Sequence, residues 1–269
     1  MTRIMELTYE RRGHGPPLVL LHGIGHHWQA WAPVLDRLAA AHDVIAVDLP
    51  GFGGSPPLPP GTPYTAEAMA DAIDAFCTRL GVREPDVAGN SFGGYVALEL
   101  ASRGVIRTAA ALSPAGFWSE PELVYARAVL KLLRSATSTM PPGRRAAVAE
   151  SPLGRILSHG LLVAHPSKLS PQAVTDAAQA LRESRGFDQT LDSFVWMMPP
   201  APPKVPVTIA WGERDRLLLR RQAVRAARWS GQRVKLLKGC GHVPMSDDPA
   251  LVARVLHEAT LPGAPETAD

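Results

Sequence analysis

The chain has 269 residues, 46% of them hydrophobic, enough to bury one large α/β domain or a domain carrying an insertion. Its 28 Lys+Arg against 25 Asp+Glu give a formal charge of +3, and because the basic residues are scattered rather than gathered in a tract, no nucleic-acid partner is implied. No apolar run approaches the roughly 18 residues of a membrane span, the N-terminus shows no leader-like apolar core, and two cysteines make neither a disulfide framework nor a thiol-rich metal set; the expectation is a cytoplasmic chain with reduced thiols and no membrane partner.

Ile4 to Glu10 alternates like a strand, Arg11 to Pro17 reads as a turn, and Leu18 to Leu21 is a fully apolar run suited to a buried strand. That run ends in His22-Gly23-Ile24-Gly25, where the Ile24 N–H is a candidate donor to developing negative charge, and His22 is expected to tie down the loop rather than transfer protons. His26 and His27 lack partners at metal-ligand spacing, so no metal site is expected. An amphipathic stretch from Trp31 to Ala41 leads to a second apolar strand, Val44 to Val47. Asp48-Leu-Pro-Gly-Phe-Gly-Gly-Ser55 is a tight loop in which Asp48 is suited to accept turn N–H bonds. After a proline-rich loop, Thr65 to Leu80 has helical spacing with Thr65 as N-cap.

Asp86 to Ala88 then runs as a strand into Gly89-Asn90-Ser91-Phe92-Gly93-Gly94, a Gly-x-Ser-x-Gly pattern between an apolar strand and an apolar helix. A serine on such a turn is pushed out of the backbone, glycines on either side let neighbouring chain approach, and the Phe92 N–H at the helix N-terminus faces incoming negative charge. From this stretch alone, a serine that merely caps the helix on a glycine-rich turn is an equal alternative. Thr108 to Leu112 is another buried strand, and the alternation of strands with helices is the signature of a parallel sheet with right-handed crossovers. The segment that follows is helical in period throughout, over Leu123 to Leu133, Arg144 to Leu162 and Pro171 to Ser184. A strand from Val205 ends in Glu213-Arg214-Asp215, and a last one, Arg233 to Leu237, precedes Gly239-Cys240-Gly241-His242. Asp247 or Asp248 is expected to cap a final helix, Pro249 to Ala259.

The order of the His-Gly-Ile-Gly, Asp-Leu-Pro-Gly-Phe-Gly-Gly-Ser and Gly-Asn-Ser-Phe-Gly-Gly motifs at successive strand ends resembles the α/β-hydrolase superfamily. The resemblance implies an α/β fold: a mostly parallel, doubly wound sheet formed by residues 1–116 and 204–269, with a helical cap inserted at 117–203, matched only in length and helicity. It implies the chain order Ser…Asp/Glu…His, with Ser91 as nucleophile, Asp215 as the acid with Glu213 as its competitor, and His242 as general base. Ile24 and Phe92 N–H groups form the implied oxyanion hole, and no metal or organic cofactor is needed. The implied activity is two-step acyl transfer from a small apolar or aromatic carboxylic ester, a small-molecule partner. A serine at 91 separates the chain from the similar haloalkane dehalogenases and epoxide hydrolases, which use an aspartate.

The rival reading is a C–C bond hydrolase of dienoic ring-cleavage products, whose elbow is similar to Gly-Asn-Ser-Phe-Gly-Gly. Val243 in place of the tryptophan often found after that subfamily's histidine, and the lack of a matched cap arginine, speak against it. Cofactor-free perhydrolases resemble the core too. From a different class comes a small-ligand receptor or binding protein without catalysis on the same scaffold. Trp28, Phe117, Trp118, Trp196 and Val243, at strand ends or cap junctions, are the expected substrate contacts. Oligomeric state is left open.

Overall fold

The apolar runs pair into a seven-stranded sheet in the computed structural model, which describes residues 5–261. The strands are β1 (Tyr9–Arg12), β2 (Pro17–Leu21), β3 (Asp43–Val47), β4 (Asp86–Asn90), β5 (Thr108–Leu112), β6 (Val207–Gly212) and β7 (Lys235–Leu237), in the spatial order β1-β3-β2-β4-β5-β6-β7. Every pairing is parallel except that of β1 with β3.

Helices α1 (Ala32–Ala39), α2 (Ala66–Arg79) and α3 (Phe92–Arg103) connect the first five strands. Between β5 and β6 lie α4 (Glu120–Thr139), α5 (Pro142–Glu150), α6 (Pro152–His159), α7 (Pro171–Glu183) and α8 (Phe187–Ser193). After β6 come α9 (Arg221–Ser230), α10 (Pro244–Asp247) and α11 (Pro249–Thr260). Strand side chains point alternately to the two faces, so two cores form. Leu18, Leu20, Val44 and Ala46 pack with Leu35 of α1 and Val252 of α11, whereas Val19, Leu21, Ile45 and Val47 join Met69 of α2 and Val96 of α3.

The expected doubly wound sheet with a helical insertion is the observed architecture. The inserted segment is divided by prolines at helix starts, where the missing N–H leaves no bond unmade. Its first helix opens on a capping box, Ser119 with Glu122, and α6 on Ser151, whose Oγ accepts from Gly154 N at 3.2 Å. Thr65 caps α2 as expected, its Oγ1 accepting from Ala68 N at 3.3 Å.

The first strand differs from the sequence reading. It begins at Tyr9 and takes in Arg11 and Arg12, assigned above to a turn, because Arg11 makes a bidentate pair with Asp43 of β3 (2.8 and 2.6 Å) that holds it on the ladder. Ile4 lies outside the described residues. Similarly, β7 starts at Lys235 rather than Arg233, and α9 and α10 were not anticipated. Among the described residues no helix is long and apolar enough to cross a membrane.

Candidate active site

β4 passes directly into α3, and the residue at the junction, Ser91, has φ 56° and ψ −118°. A side chain beyond Cα makes that conformation strained, so neighbours must hold it. Ser91 N donates to Leu112 O at 2.9 Å, and Ser91 O accepts from Tyr95 N at 3.0 Å and from Ala115 N at 3.1 Å. The turn also requires glycine: a Cβ at Gly89 would stand 2.1 Å from Gly93 O, and one at Gly93 2.3 Å from Leu21 O. Ser91 thereby stands at the carboxyl ends of β2 and β4, where the strand order reverses and α/β sheets open a crevice. It is also at the N-terminus of α3, where backbone N–H groups and the helix dipole favour negative charge.

His242 follows β7 in a glycine-bounded turn, and its Nδ1 lies 2.8 Å from Asp215 Oδ2. The other oxygen of Asp215 accepts from Leu217 N (2.9 Å) and Leu218 N (2.8 Å), which fixes the carboxylate as a loop anchor and imidazole partner at once. Glu213, the competing acid, is turned to Gly239 N at 2.9 Å instead. The Asn90 amide donates from Nδ2 to His242 O (2.9 Å) and Leu112 O (3.0 Å), so the residue before the serine binds the backbone of the histidine. Ser91, Asp215 and His242 are all buried. Among the described residues no hydrogen bond joins Ser91 Oγ to His242 Nε2; in free enzymes such bonds are often long and tighten on substrate binding.

The chain after β2 runs beside the serine: a Cβ built on Gly23 would lie 3.2 Å from Ser91 Cβ and 3.7 Å from its Oγ. Gly23, which precedes Ile24, thus lies against Ser91, and Phe92 follows the serine in the chain. The buried Phe92 ring is 5.7 Å from that of Phe194, which is 5.3 Å from that of Trp118, an aromatic row joining the elbow to the inserted helices. Val243 flanks His242 and donates its N–H to Leu162 O at 2.9 Å.

The other three expected contacts stand elsewhere. Phe117 is packed into the core against Trp229 (5.5 Å), with its carbonyl held by Arg225. Trp196 is 83% exposed, because in the short 3-10 turn Phe194–Trp196 only Phe194 takes the inward position. Trp28, its N–H on Asp48 Oδ1 at 2.6 Å, lines a separate cleft of about 300 Å³ with His27, Gln29, Asp176 and Gln179, and this cleft includes none of Ser91, Asp215 and His242. Sequence reasoning missed Phe194 and the tie made by Asn90; the first sits in an apolar triplet that names no inward face, the second beside the serine itself.

Histidines line the seam between core and insertion. His22 is tied down at both nitrogens, Nδ1 against Gly23 O at 2.8 Å and Nε2 accepting from Leu49 N at 3.0 Å, and burial pushes it down to about 4. Burial lowers His159 to about 4 and, with neighbouring His27 and His22, His26 to about 3. Asp48 fixes its loop from both oxygens, to Trp28 N and Gly54 N. Among the described residues no cluster of three or more His, Cys, Asp or Glu is arranged to hold a metal.

An uncharacterized protein of Mycobacterium tuberculosis is 28% identical over 255 residues, covering 88% of this chain and 73% of that protein. A pimeloyl-(acyl-carrier protein) methyl ester esterase of Aeromonas salmonicida is 42% identical over 101 residues, 36% of each chain. A thermophilic esterase from Thermogutta terrifontis shares the fold, with a TM-score of 0.71 at 24% identity over 94% of this chain and 92% of that one. The pattern that defines the alpha/beta hydrolase family matches residues 18–255, from the start of β2 into α11, and on that match, with this sheet order, the chain belongs to the α/β-hydrolase family.

Proposed function

We propose that the protein is a serine hydrolase that cleaves a small apolar or aromatic carboxylic ester through an acyl-enzyme. The observation that carries this reading is the strained Ser91 at the sheet's reversal point, tied through Asn90 to a histidine whose Nδ1 is engaged by Asp215. In this scheme His242 Nε2 takes the Ser91 proton as Oγ attacks the ester carbonyl. The carbon–oxygen bond to the alcohol then breaks, and His242 returns the proton to the leaving oxygen. Water, deprotonated by His242, attacks the acyl-serine, releases the acid and restores Ser91.

Asp215 holds the imidazole in the tautomer with hydrogen on Nδ1 and stabilises the imidazolium. Phe92 and Ile24 N–H groups are assigned to the carbonyl oxygen as it becomes negative. The Phe92–Phe194–Trp118 row supports an apolar or aromatic acyl group, and the esterase named among the relatives supports an ester bond.

The test is the intact mass after incubation with a small fluorophosphonate, which forms a bond from Ser91 Oγ to phosphorus with loss of fluoride. One adduct on wild type and none on Ser91→Ala is the expected result. An ester panel graded by acyl and alcohol size, with a 2-hydroxy-6-oxo-dienoate included, then sets the substrate. Turnover of the dienoate above every ester would move the reading to C–C bond hydrolysis. No adduct on folded wild type would overturn it in favour of a binding protein.

A further inference from the structure

Of the adjacent acids Asp247 and Asp248, only the second caps α11, its Oδ1 accepting from Leu251 N at 2.9 Å. Asp247 faces the other way. Its Oδ2 accepts from Gly241 N at 2.8 Å and from Ala164 N at 3.0 Å, and its Oδ1 accepts from His165 N at 2.9 Å. One carboxylate oxygen therefore joins the residue before His242 to the turn that follows α6. On the other side of His242, Val243 N donates to Leu162 O at 2.9 Å in the same turn. The two backbones touch, since a Cβ at Gly241 would lie 2.8 Å from Ala164 N and 3.0 Å from Leu162 O.

Both backbone neighbours of His242 are thus sewn to the inserted helices, while His242 O is held by Asn90 and Cys240 O by Arg214 N at 2.8 Å. Among the described residues Asp247 has no cationic partner; its charge is met by three backbone N–H groups, two from the insertion and one from the histidine turn. Carboxylate-to-amide bonds of this kind are stronger than neutral ones and have directional geometry. A shift of residues 162–165 cannot occur without either breaking these bonds or carrying the turn along.

We propose that Asp247 is a positioning residue that transmits the seating of the cap to His242, so that the acyl-transfer rate depends on whether the turn at 162–165 is docked. This rests on the serine-hydrolase reading above. The consequence is a gate without a moving lid over the serine: when the cap turn lifts, His242 leaves its place between Asp215 and Ser91, and the nucleophile loses its base. In this scheme a substrate that packs against the turn at 162–165 holds it down and the imidazole in position.

The experiment compares wild type, Asp247→Ala, Asp247→Asn, Gly241→Ala and Asp248→Ala by melting temperature, by the rate of fluorophosphonate labelling, and by kcat and KM on a short ester such as 4-nitrophenyl acetate. Asp247→Ala is expected to lower kcat and the labelling rate at least tenfold while moving KM less than threefold, because a short ester makes little use of the cap. Asp247→Asn, whose amide oxygen can still bridge Gly241 and Ala164, recovers part of that loss. Gly241→Ala keeps the acid but presses a methyl against the cap turn, and lowers kcat in the same direction. Asp248→Ala, which removes a helix cap only, lowers the melting temperature and leaves kcat within twofold. Labelling of Asp247→Ala at the wild-type rate, or loss of kcat in step with melting temperature across all four variants, would overturn the coupling alone. Wild type that does not label would overturn the hydrolase reading, and this inference with it.

Discussion

Ser91 carries a local cost: a non-glycine residue at positive φ is worse off by roughly 1–3 kcal/mol, and the surrounding hydrogen bonds must offset it. The glycines at 89 and 93 are consequently more constrained than the serine. Gly89→Ala is expected to destabilise the fold by about 1–3 kcal/mol or more, since a methyl there meets a carbonyl oxygen at 2.1 Å; urea unfolding measures it, and an unchanged midpoint would refute the tight turn. The acids divide similarly. Asp215→Ala should lower kcat by about 10⁴-fold, whereas Glu213→Ala, which loses only the bond to Gly239 N, should stay within tenfold of wild type on the same ester. Ser91 and His242 stood out as candidates in the sequence because glycines flank Ser91 and Gly239 and Gly241 precede His242. The resemblance ranked Asp215 above Glu213, which shares its loop, but left the adjacent Asp247 and Asp248 undivided, because only the turn geometry sends one of them to the amide beside His242.

At the scale of elements, the alternating apolar runs made β2 to β6 readable, while α9 was missed. Its sequence, Arg221 to Ser230, has only a narrow apolar face, Ala223, Ala226 and Trp229, among arginines, two of which, Arg221 and Arg225, pair with Glu122, a buried carboxylate of the inserted helix α4. A lone helix pattern does not reveal a partner about 100 residues away in the chain. Burial alone would push the Glu122 carboxyl up, yet hydrogen bonds from Ser119 and Arg221 and the charge of Arg225 bring it below its ordinary value. Glu122→Ala also removes the capping box of α4, and is expected to cost roughly 1–3 kcal/mol in denaturant unfolding. Glu122→Gln keeps the neutral cap and should cost less; equal losses would mean that the cap contributes nothing and that pairing with the arginines carries the whole cost.

For the whole molecule, acid is the expected weak point. His22, His26 and His159 are held well below the usual histidine value of about 6.5 by burial, so the folded state keeps them neutral where the unfolded chain would already bind protons. Their contribution is fully present above about 6.5 and is lost as pH falls toward about 4, the value for His22 and His159. The melting temperature should therefore fall across that window, and His159→Gln, which cannot charge, should flatten the slope. A slope unchanged in that variant would remove His159 from the account.

Among the described residues the open seven-stranded sheet also ends in two edge strands, whose outward backbone groups offer a second chain a template for further strands. Here β1 has four residues, with Arg11 bound to Asp43 and Arg12 to Glu10 and Asp36, and β7 has three, with Lys235 on Glu258. Charges on edges this short discourage strand addition while the protein is being made, when its sheet is least covered. Replacing Arg11 and Arg12 together by valine should leave folded activity near wild type and raise the fraction lost to aggregates on refolding; an unchanged fraction would remove the two arginines from any role in guarding this edge.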